Sequence, residues 1–166
     1  MFSIRPATTT DLPHLHPVIE RAYRGDSARA GWTHEADLLS GERTDLTTLQ
    51  AIIDDPDQAL LMALDGEMPI GSVQVSNRGA GTAYLGLLCV DPVLQAGGTG
   101  KLLIAAAEDF ARDRFAATAM EMTVIDSRAE LIAYYERRGY AATGEKRDFP
   151  IPLDPPFFMT VLVKPL

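Results

Sequence analysis

Hydrophobic positions in this chain switch between a helical and a strand-like rhythm, and the switches lay out the elements. Leu12, Leu15, Ile19 and Tyr23 follow Thr10-Asp11 at three- and four-residue steps, which predicts a helix that Gly25 stops. Leu49, Ile52 and Ile53 repeat that step after Thr44-Asp45, a second helix ended by Pro56. Residues 2–5 read as a short strand before Pro6. Residues 59–64 and 69–75 flank Asp65-Gly66 and read as a hairpin around an Asp-Gly turn. A second turn at Gly79-Ala80-Gly81 leads into residues 84–90, a nearly continuous apolar run of the kind found in a strand covered on both faces.

Beyond Asp91-Pro92 a long helix is predicted from near Gly98, with Leu103, Ala106 or Ala107, and Phe110 on its buried side. Residues 120–125 read as a strand and 127–138 as a helix closed by Gly139. A strand then starts at Tyr140, and a last one spans 157–163. The order β-α-α-β-β-β-α-β-α-β-β is a mixed α/β layout. Residues 25–43 hold three glycines and the only tryptophan, Trp32, with no sustained period; a stretch that long is expected to be functional or disordered. Pro150, Pro152, Pro155 and Pro156 mark one irregular connection. No repeat or linker divides the chain, so a single domain over residues 1–166 is expected.

Charge narrows the partners. The 166 residues carry 15 Lys+Arg against 23 Asp+Glu, a formal charge of −8. Nucleic acid is thereby disfavoured, since its binding needs clustered basic groups to displace counterions. An acidic balance is compatible with a cationic acceptor, and it also simply keeps a protein dissolved. Cys89 is the single cysteine, so no disulfide forms within the chain and a cytoplasmic location is expected. No secretory signal and no apolar run of the ~18–20 residues that cross a bilayer is evident, so no membrane partner is expected. His14 and His16, two apart on a helix, do not share a face, and no Cys/His cluster suggests a metal.

The chemistry concentrates in Val90-Asp91-Pro92-Val93-Leu94-Gln95-Ala96-Gly97-Gly98-Thr99-Gly100-Lys101. A buried strand ends, a proline turns the chain, and small residues lead into a helix. Glycines let the main chain approach a ligand closely, and unpartnered N–H groups at a helix start favour an anion, so a phosphate or diphosphate cradle is expected. A P-loop is excluded because Gln95 stands where its first glycine belongs and Leu102 follows Lys101. The dinucleotide fingerprint fails at Leu103, where its third glycine belongs.

Gln95-x-x-Gly98-x-Gly100 after a Val-Asp-Pro strand end resembles the coenzyme A pyrophosphate motif of the GNAT N-acetyltransferase superfamily. Tyr135-Glu136-Arg137-Arg138-Gly139-Tyr140 is similar to that family's later signature, and the element order agrees along nearly the whole chain. The resemblance implies the GNAT fold, a mixed and mostly antiparallel sheet of about seven strands flanked by about four helices. It implies acetyl-CoA as co-substrate, with main-chain groups of Leu88, Cys89 and Val90 along the pantetheine arm. The amides of Ala96, Gly97, Gly98, Thr99, Gly100 and Lys101 would hold the pyrophosphate.

Moving an acetyl group to a primary amine by direct attack in a ternary complex has three needs. The amine must lose a proton, the developing oxyanion must be stabilised, and the departing thiolate must be protonated. In the family a main-chain N–H near the end of the strand, here around Leu88 to Val90, serves the second need. Tyr135 matches the family's general acid. A phenol near pKa ~10 donating to a thiol near ~8.5 is uphill by about 2 kcal/mol, so it can serve a charge developing in the transition state. Tyr134 points about 100° away and reads as core, as does Cys89.

The chain departs from the family where some members place a glutamate, for Thr123 stands there and Glu121, two residues earlier on the same strand face, is the candidate. Arg128 stands where relatives carry a cofactor-contacting Asn, and either reaches a phosphate or faces water. Trp32 and Glu35 in the long loop are candidates to hold an ammonium group, or else pack the loop and meet solvent. A non-catalytic acyl-CoA-binding domain of the same fold is the alternative reading, and acyl groups longer than acetyl stay open. The acceptor, a small-molecule or a protein amine, is not legible; relatives often form homodimers.

Overall fold

The computed structural model describes residues 2–23, 44–92, 97–148 and 158–166. These form β1 (Phe2–Pro6), α1 (Leu12–Tyr23), α2 (Leu46–Asp54), β2 (Gln58–Asp65), β3 (Met68–Asn77), β4 (Thr82–Val90), α3 (Thr99–Phe115), β5 (Ala119–Ile125), α4 (Ala129–Arg137), β6 (Ala141–Asp148) and β7 (Phe158–Pro165). The strands build one sheet in the order β1-β2-β3-β4-β5-β7-β6, antiparallel throughout except for β4 with β5. The expected mixed, mostly antiparallel sheet of seven strands with four helices is what the described residues adopt.

Alternation along each strand divides the core in two. Leu60, Met62 and Leu64 of β2 point to one side, where they pack with Leu15 and Ile19 of α1 and Leu49 and Ile52 of α2. Leu61 and Ala63 point to the other, where Val73, Val75, Leu85, the α3 residues Leu103, Ile104 and Ala107, and Tyr134 and Tyr135 of α4 join them. The first helix starts at Leu12, directly after Thr10-Asp11, but the cap lies two residues before Thr10. Thr8 takes the cap position before a 3-10 turn over Thr9–Asp11, and the Asp11 carboxylate accepts from the Thr8 N–H at 2.8 Å. Asp45 caps α2 as its spacing implies, accepting from the Thr48 N–H at 2.7 Å.

One irregularity positions everything that follows. Ser72 pairs with Cys89 and Gln74 with Gly86, so Val73 of β3 faces both Leu87 and Leu88 of β4. The extra residue makes a β-bulge, and Leu87 takes a left-handed φ of 46° to accommodate it. Such a conformation costs a side-chain-bearing residue about 1–3 kcal/mol and persists because packing on both faces enforces it. A bulge bends its strand. The parallel pairing of β4 with β5 runs only through Thr82–Ala119, Ala83–Met120 and Tyr84–Glu121, although both strands continue beyond it.

Candidate functional site

The consequence is a gap between the C-terminal halves of β4 and β5. The Asp91 N–H bonds Ile70 O of β3 at 2.8 Å, which sets the phase of the ladder: residues 91 and 89 turn their main-chain groups to β3, and Leu88 and Val90 turn theirs to the gap. The Leu88 carbonyl accepts from the Tyr23 hydroxyl of α1 at 2.5 Å. The Cys89 main chain serves β3, and its 1% exposed side chain lies 3.4 Å from Ser72 Oγ in the core.

The gap leads to the start of α3. Gly98 is its N-cap in a left-handed conformation (φ 81°), and among the described residues no side chain caps the turn. The first-turn N–H groups are therefore available to an outside acceptor, and the helix dipole favours that acceptor being negative. A β-carbon on Gly97 or Gly98 would meet nothing within 4 Å. Gly100 differs, since a β-carbon there would come 3.0 Å from the Tyr134 hydroxyl and 3.9 Å from Val90 Cγ2. Its bareness serves the packing of α4 on α3. Thr99 is buried and Lys101 exposed. Gln95 and Ala96 lie outside the described residues, as do Trp32 and Glu35.

From α4, Tyr134 and Tyr135 both turn inward, their rings edge to face at 5.5 Å, and Tyr135 meets Tyr140 at 6.3 Å. Burial raises the Tyr135 pKa well above the ordinary phenol range; Tyr134 and Tyr84 add to that, and Arg128 opposes it. Its hydroxyl makes no hydrogen bond to a described residue. It is also absent from the sealed unpartnered polar atoms, where Thr44 Oγ1 stands alone among the described residues. Arg128 sits at the N-cap of α4, its N–H bonded to Ile125 O at 2.9 Å, and its charge reaches Tyr135. Behind the tyrosines, Tyr140 donates to the buried Glu108 of α3 at 2.9 Å, and Lys164 of β7 donates to the same carboxylate at 3.0 Å.

The opposite face of the sheet, beside α2, is polar where the gap begins. The Tyr84 hydroxyl lies 2.6 Å from Thr123 Oγ1, and the Arg78 guanidinium stacks 4.4 Å over the Tyr84 ring. Glu121 shares this face with Thr123, as alternation requires, while Met120, Met122 and Val124 face α3 and α4. Both Glu121 oxygens accept from Arg147 of β6, at 3.0 and 3.2 Å. A cleft of about 670 Å³ opens beside these groups, bordered by Thr44, Asp45 and Thr48 next to α2 and by Gln58, Gln74, Tyr84 and Gly86 of the sheet. Sequence reasoning missed Arg147, Gln58 and Gln74. Arg147 is 26 residues from Glu121 and meets it only across the intervening β7. The two glutamines read merely as polar strand positions.

Among the described residues no group of three His, Cys, Asp or Glu side chains could hold a metal ion, and no helix is long and apolar enough to cross a membrane.

Comparison with known proteins agrees with this geometry. The model of the Acetyltransferase (GNAT) family matches residues 19–140. Among solved structures, the ribosomal-protein-S18-alanine N-acetyltransferase of Escherichia coli superposes with a TM-score of 0.75 at 19% identity, over 99% of this chain and 94% of that one. The Salmonella typhimurium protein yncA, solved with its cofactor acetyl-CoA, gives 0.75 at 16% identity over 100% and 94%. A chimera of the Vibrio cholerae spermidine N-acetyltransferase SpeG with hSSAT gives 0.73 at 15% over 99% and 95%. At such identities the likeness is one of fold. A search of curated proteins by sequence finds no match.

Proposed function

This chain belongs to the GNAT acetyltransferase family, and from that premise we propose that it moves an acetyl group from acetyl-CoA to a primary amine by direct attack in a ternary complex. The observation that carries the reading is the β4–β5 pairing that stops at Tyr84 and Glu121, leaving a gap that ends at the uncapped start of α3. An extended arm fits along a strand edge, and a diphosphate fits a bare helix N-terminus. The residues present therefore suit coenzyme A at both ends.

In this reading the Leu88 and Val90 main chain holds the pantetheine arm, with Cys89 supporting it from the β3 side. The first-turn amides from Gly97 to Lys101, with Gln95 and Ala96 before them, hold the diphosphate, and the Lys101 and Arg128 charges add attraction. Charges beyond about 8 Å are largely screened, so the chain's overall acidity does not oppose this. An N–H on the gap edge of β4 takes the charge that develops on the carbonyl oxygen.

Tyr135 supplies a proton to the leaving sulfur, and the proton lost by the attacking nitrogen passes to solvent in the cleft, which restores the phenol. Burial keeps the phenol proton in place, and the same dry surroundings raise the basicity of a thiolate developing beside it, so the transfer serves charge forming in the transition state. The amine approaches from the α2 face, where Glu121, Trp32 and Glu35 are candidates to contact it. With Arg147 holding both of its oxygens, Glu121 acts there as part of a charged rim. Both kinds of acceptor, a protein terminus and a small molecule, are in keeping with the relatives named above.

A binding-only role draws on one observation, that Thr123 stands at the family's glutamate position and Glu121 is committed to Arg147. Calorimetric titration of acetyl-CoA, paired with thiol release on a panel of amines, separates the two readings. Transfer predicts binding and amine-dependent release. Binding without release on any amine selects the other reading, and no binding removes both. Gly98→Glu sharpens the cofactor half: it adds strain and negative charge, whereas Gly98→Ala adds strain alone. Glu should weaken affinity far more than Ala.

A further inference from the structure

The cleft beside α2 contains an ordered relay of side-chain amides. Asp55, just after α2, is held at the helix end by the Asp57 N–H, which donates to its Oδ1 at 2.9 Å. Its Oδ2 accepts from Gln58 Nε2 at 2.9 Å. A carboxylate can only accept, so the Gln58 amide must turn its NH₂ toward Asp55 and its oxygen the other way. That oxygen accepts from Gln74 Nε2 at 2.5 Å, and Ser76 Oγ supports both amides from 3.4 and 3.5 Å. The orientation of Gln74 follows. Its own carbonyl oxygen is left over, 3.6 Å from where a β-carbon on Gly86 would stand. It has no hydrogen-bond partner among the described residues and is not sealed from solvent.

Gly86 lies two residues beyond Tyr84, where β4 and β5 begin to part. A fixed, unoccupied acceptor therefore stands at the mouth of the gap, on the face opposite Tyr135. We infer that Gln74 binds the acceptor amine through its N–H, turning the nitrogen lone pair toward the gap, and that the Asp55–Gln58 pair positions Gln74 for this. The inference rests on the acetyl transfer proposed above and adds which group meets the nucleophile. A carbonyl oxygen accepts a hydrogen bond without taking the proton, so Gln74 orients the nitrogen and leaves its deprotonation to solvent.

The surroundings define the body that carries the amine. Among the described residues lining the cleft, Asp45 is the one ionic side chain, and its Oδ1 is committed to the Thr48 N–H at 2.7 Å. The other polar groups are the hydroxyls of Thr44, Thr48 and Tyr84 and the two amides. Arg78 over Tyr84 adds a positive charge nearby. Such a lining suits a monoamine with a hydrogen-bonding body, since among the described lining residues the Asp45 carboxylate alone could meet a further ammonium group.

The test compares an amino-acid amide, an amino sugar and spermidine as acceptors for wild type, Gln74→Leu, Gln74→Ala and Gln58→Leu. Thiol release gives KM and kcat; acetyl-CoA affinity is measured by calorimetry. Wild type should prefer the first two amines. Removing the Gln74 oxygen should raise the amine KM about tenfold, the loss expected for one directed hydrogen bond. Acetyl-CoA affinity should not change. Gln58→Leu frees the Gln74 amide to turn and should give a smaller rise. An unchanged amine KM in a folded Gln74 variant overturns the role of Gln74, and preference for spermidine overturns the choice of a monoamine. Failure of wild type to bind acetyl-CoA or to release thiol with any amine defeats the transfer reading itself, a separate result.

Discussion

The Tyr134 hydroxyl of α4 lies 3.0 Å from the point where a β-carbon on Gly100 of α3 would stand. That approach is tighter than carbon and oxygen normally allow, so the first turn of α3 and the packing of α4 constrain each other. Gly100→Ala should displace one of them. The expected outcome is a fall in melting temperature of a few degrees, for about 1 kcal/mol of strain, together with weaker acetyl-CoA binding. Adding Tyr134→Phe removes the offending oxygen and should restore much of both. Purely additive effects in the double variant would show that the two residues do not press on each other.

Tyr135→Phe removes the proposed proton donor without emptying its place in the core. kcat should drop by about 10²–10⁴-fold with acetyl-CoA affinity unchanged, the range usual for loss of a general acid. The pH dependence has a definite sign. Because the folded-state pKa lies above the ordinary phenol value of ~10, the proton stays bound through the whole working range. Any alkaline loss of kcat in the wild type below pH ~10 must then come from another group, and the profile should keep its shape in Tyr135→Phe. A limb between pH 7 and 9 that vanishes with the phenol would show Tyr135 titrating there, against its raised pKa, and an unchanged kcat in Tyr135→Phe would remove it from the mechanism.

Local patterns in the sequence carried much of this molecule, and nonlocal ones did not. The i, i+3, i+4 spacing of Leu12, Leu15 and Ile19 and the hairpin turn that follows Asp65, at Gly66-Glu67, each reflect forces acting within a few residues. So does the bare turn at Gly98. Leu87 was different. Nothing in a leucine signals a left-handed φ, which here is imposed by the register of β3 against β4. Cys89 shows the same limit, because which edge of β4 a residue serves depends on ladder phase. The insertion of β7 between β5 and β6 joins Arg147 to Glu121, a contact no local period encodes. The facing of Gln58 and Gln74 is likewise a product of strand register, visible only once the sheet is assembled.

Asp11 offers a test of the entry to α1. Its carboxylate accepts from Arg5 at 2.7 and 3.0 Å and from the Thr8 N–H and hydroxyl, so chiefly the Arg5 contact holds its pKa well below the usual carboxylate range. A depressed folded-state pKa stabilises the protein above the unfolded value of ~3.9 and ceases to do so as pH falls through the folded value. Asp11→Asn should therefore cost about 1 kcal/mol at pH 7, the usual worth of such a cap. The difference from wild type should shrink below pH ~4. A constant difference across pH 3–7 in denaturant titrations would mean that packing, not charge, holds this turn.

Glu108 is the most buried charge among the described ionic pairs, its side chain 7% exposed against 27% for Lys164. Removing a buried carboxylate's partner costs more than the pair gains by existing, because the remaining charge keeps its desolvation penalty. Lys164→Met leaves Glu108 with the Tyr140 hydroxyl as its remaining donor among the described residues, and should destabilise by about 3 kcal/mol, or ~6–12 °C at this chain length. Glu108→Gln in that background neutralises the stranded charge while its oxygen still accepts from Tyr140, so stability should largely return. Tyr140 also packs on Tyr135 at 6.3 Å, which links the pair to the proposed site. If the network positions Tyr135, the single variant loses kcat as well as stability and the double variant regains both. If stability returns and kcat does not, the charge pair supports the fold alone, and Tyr135 is held by ring packing with Tyr134.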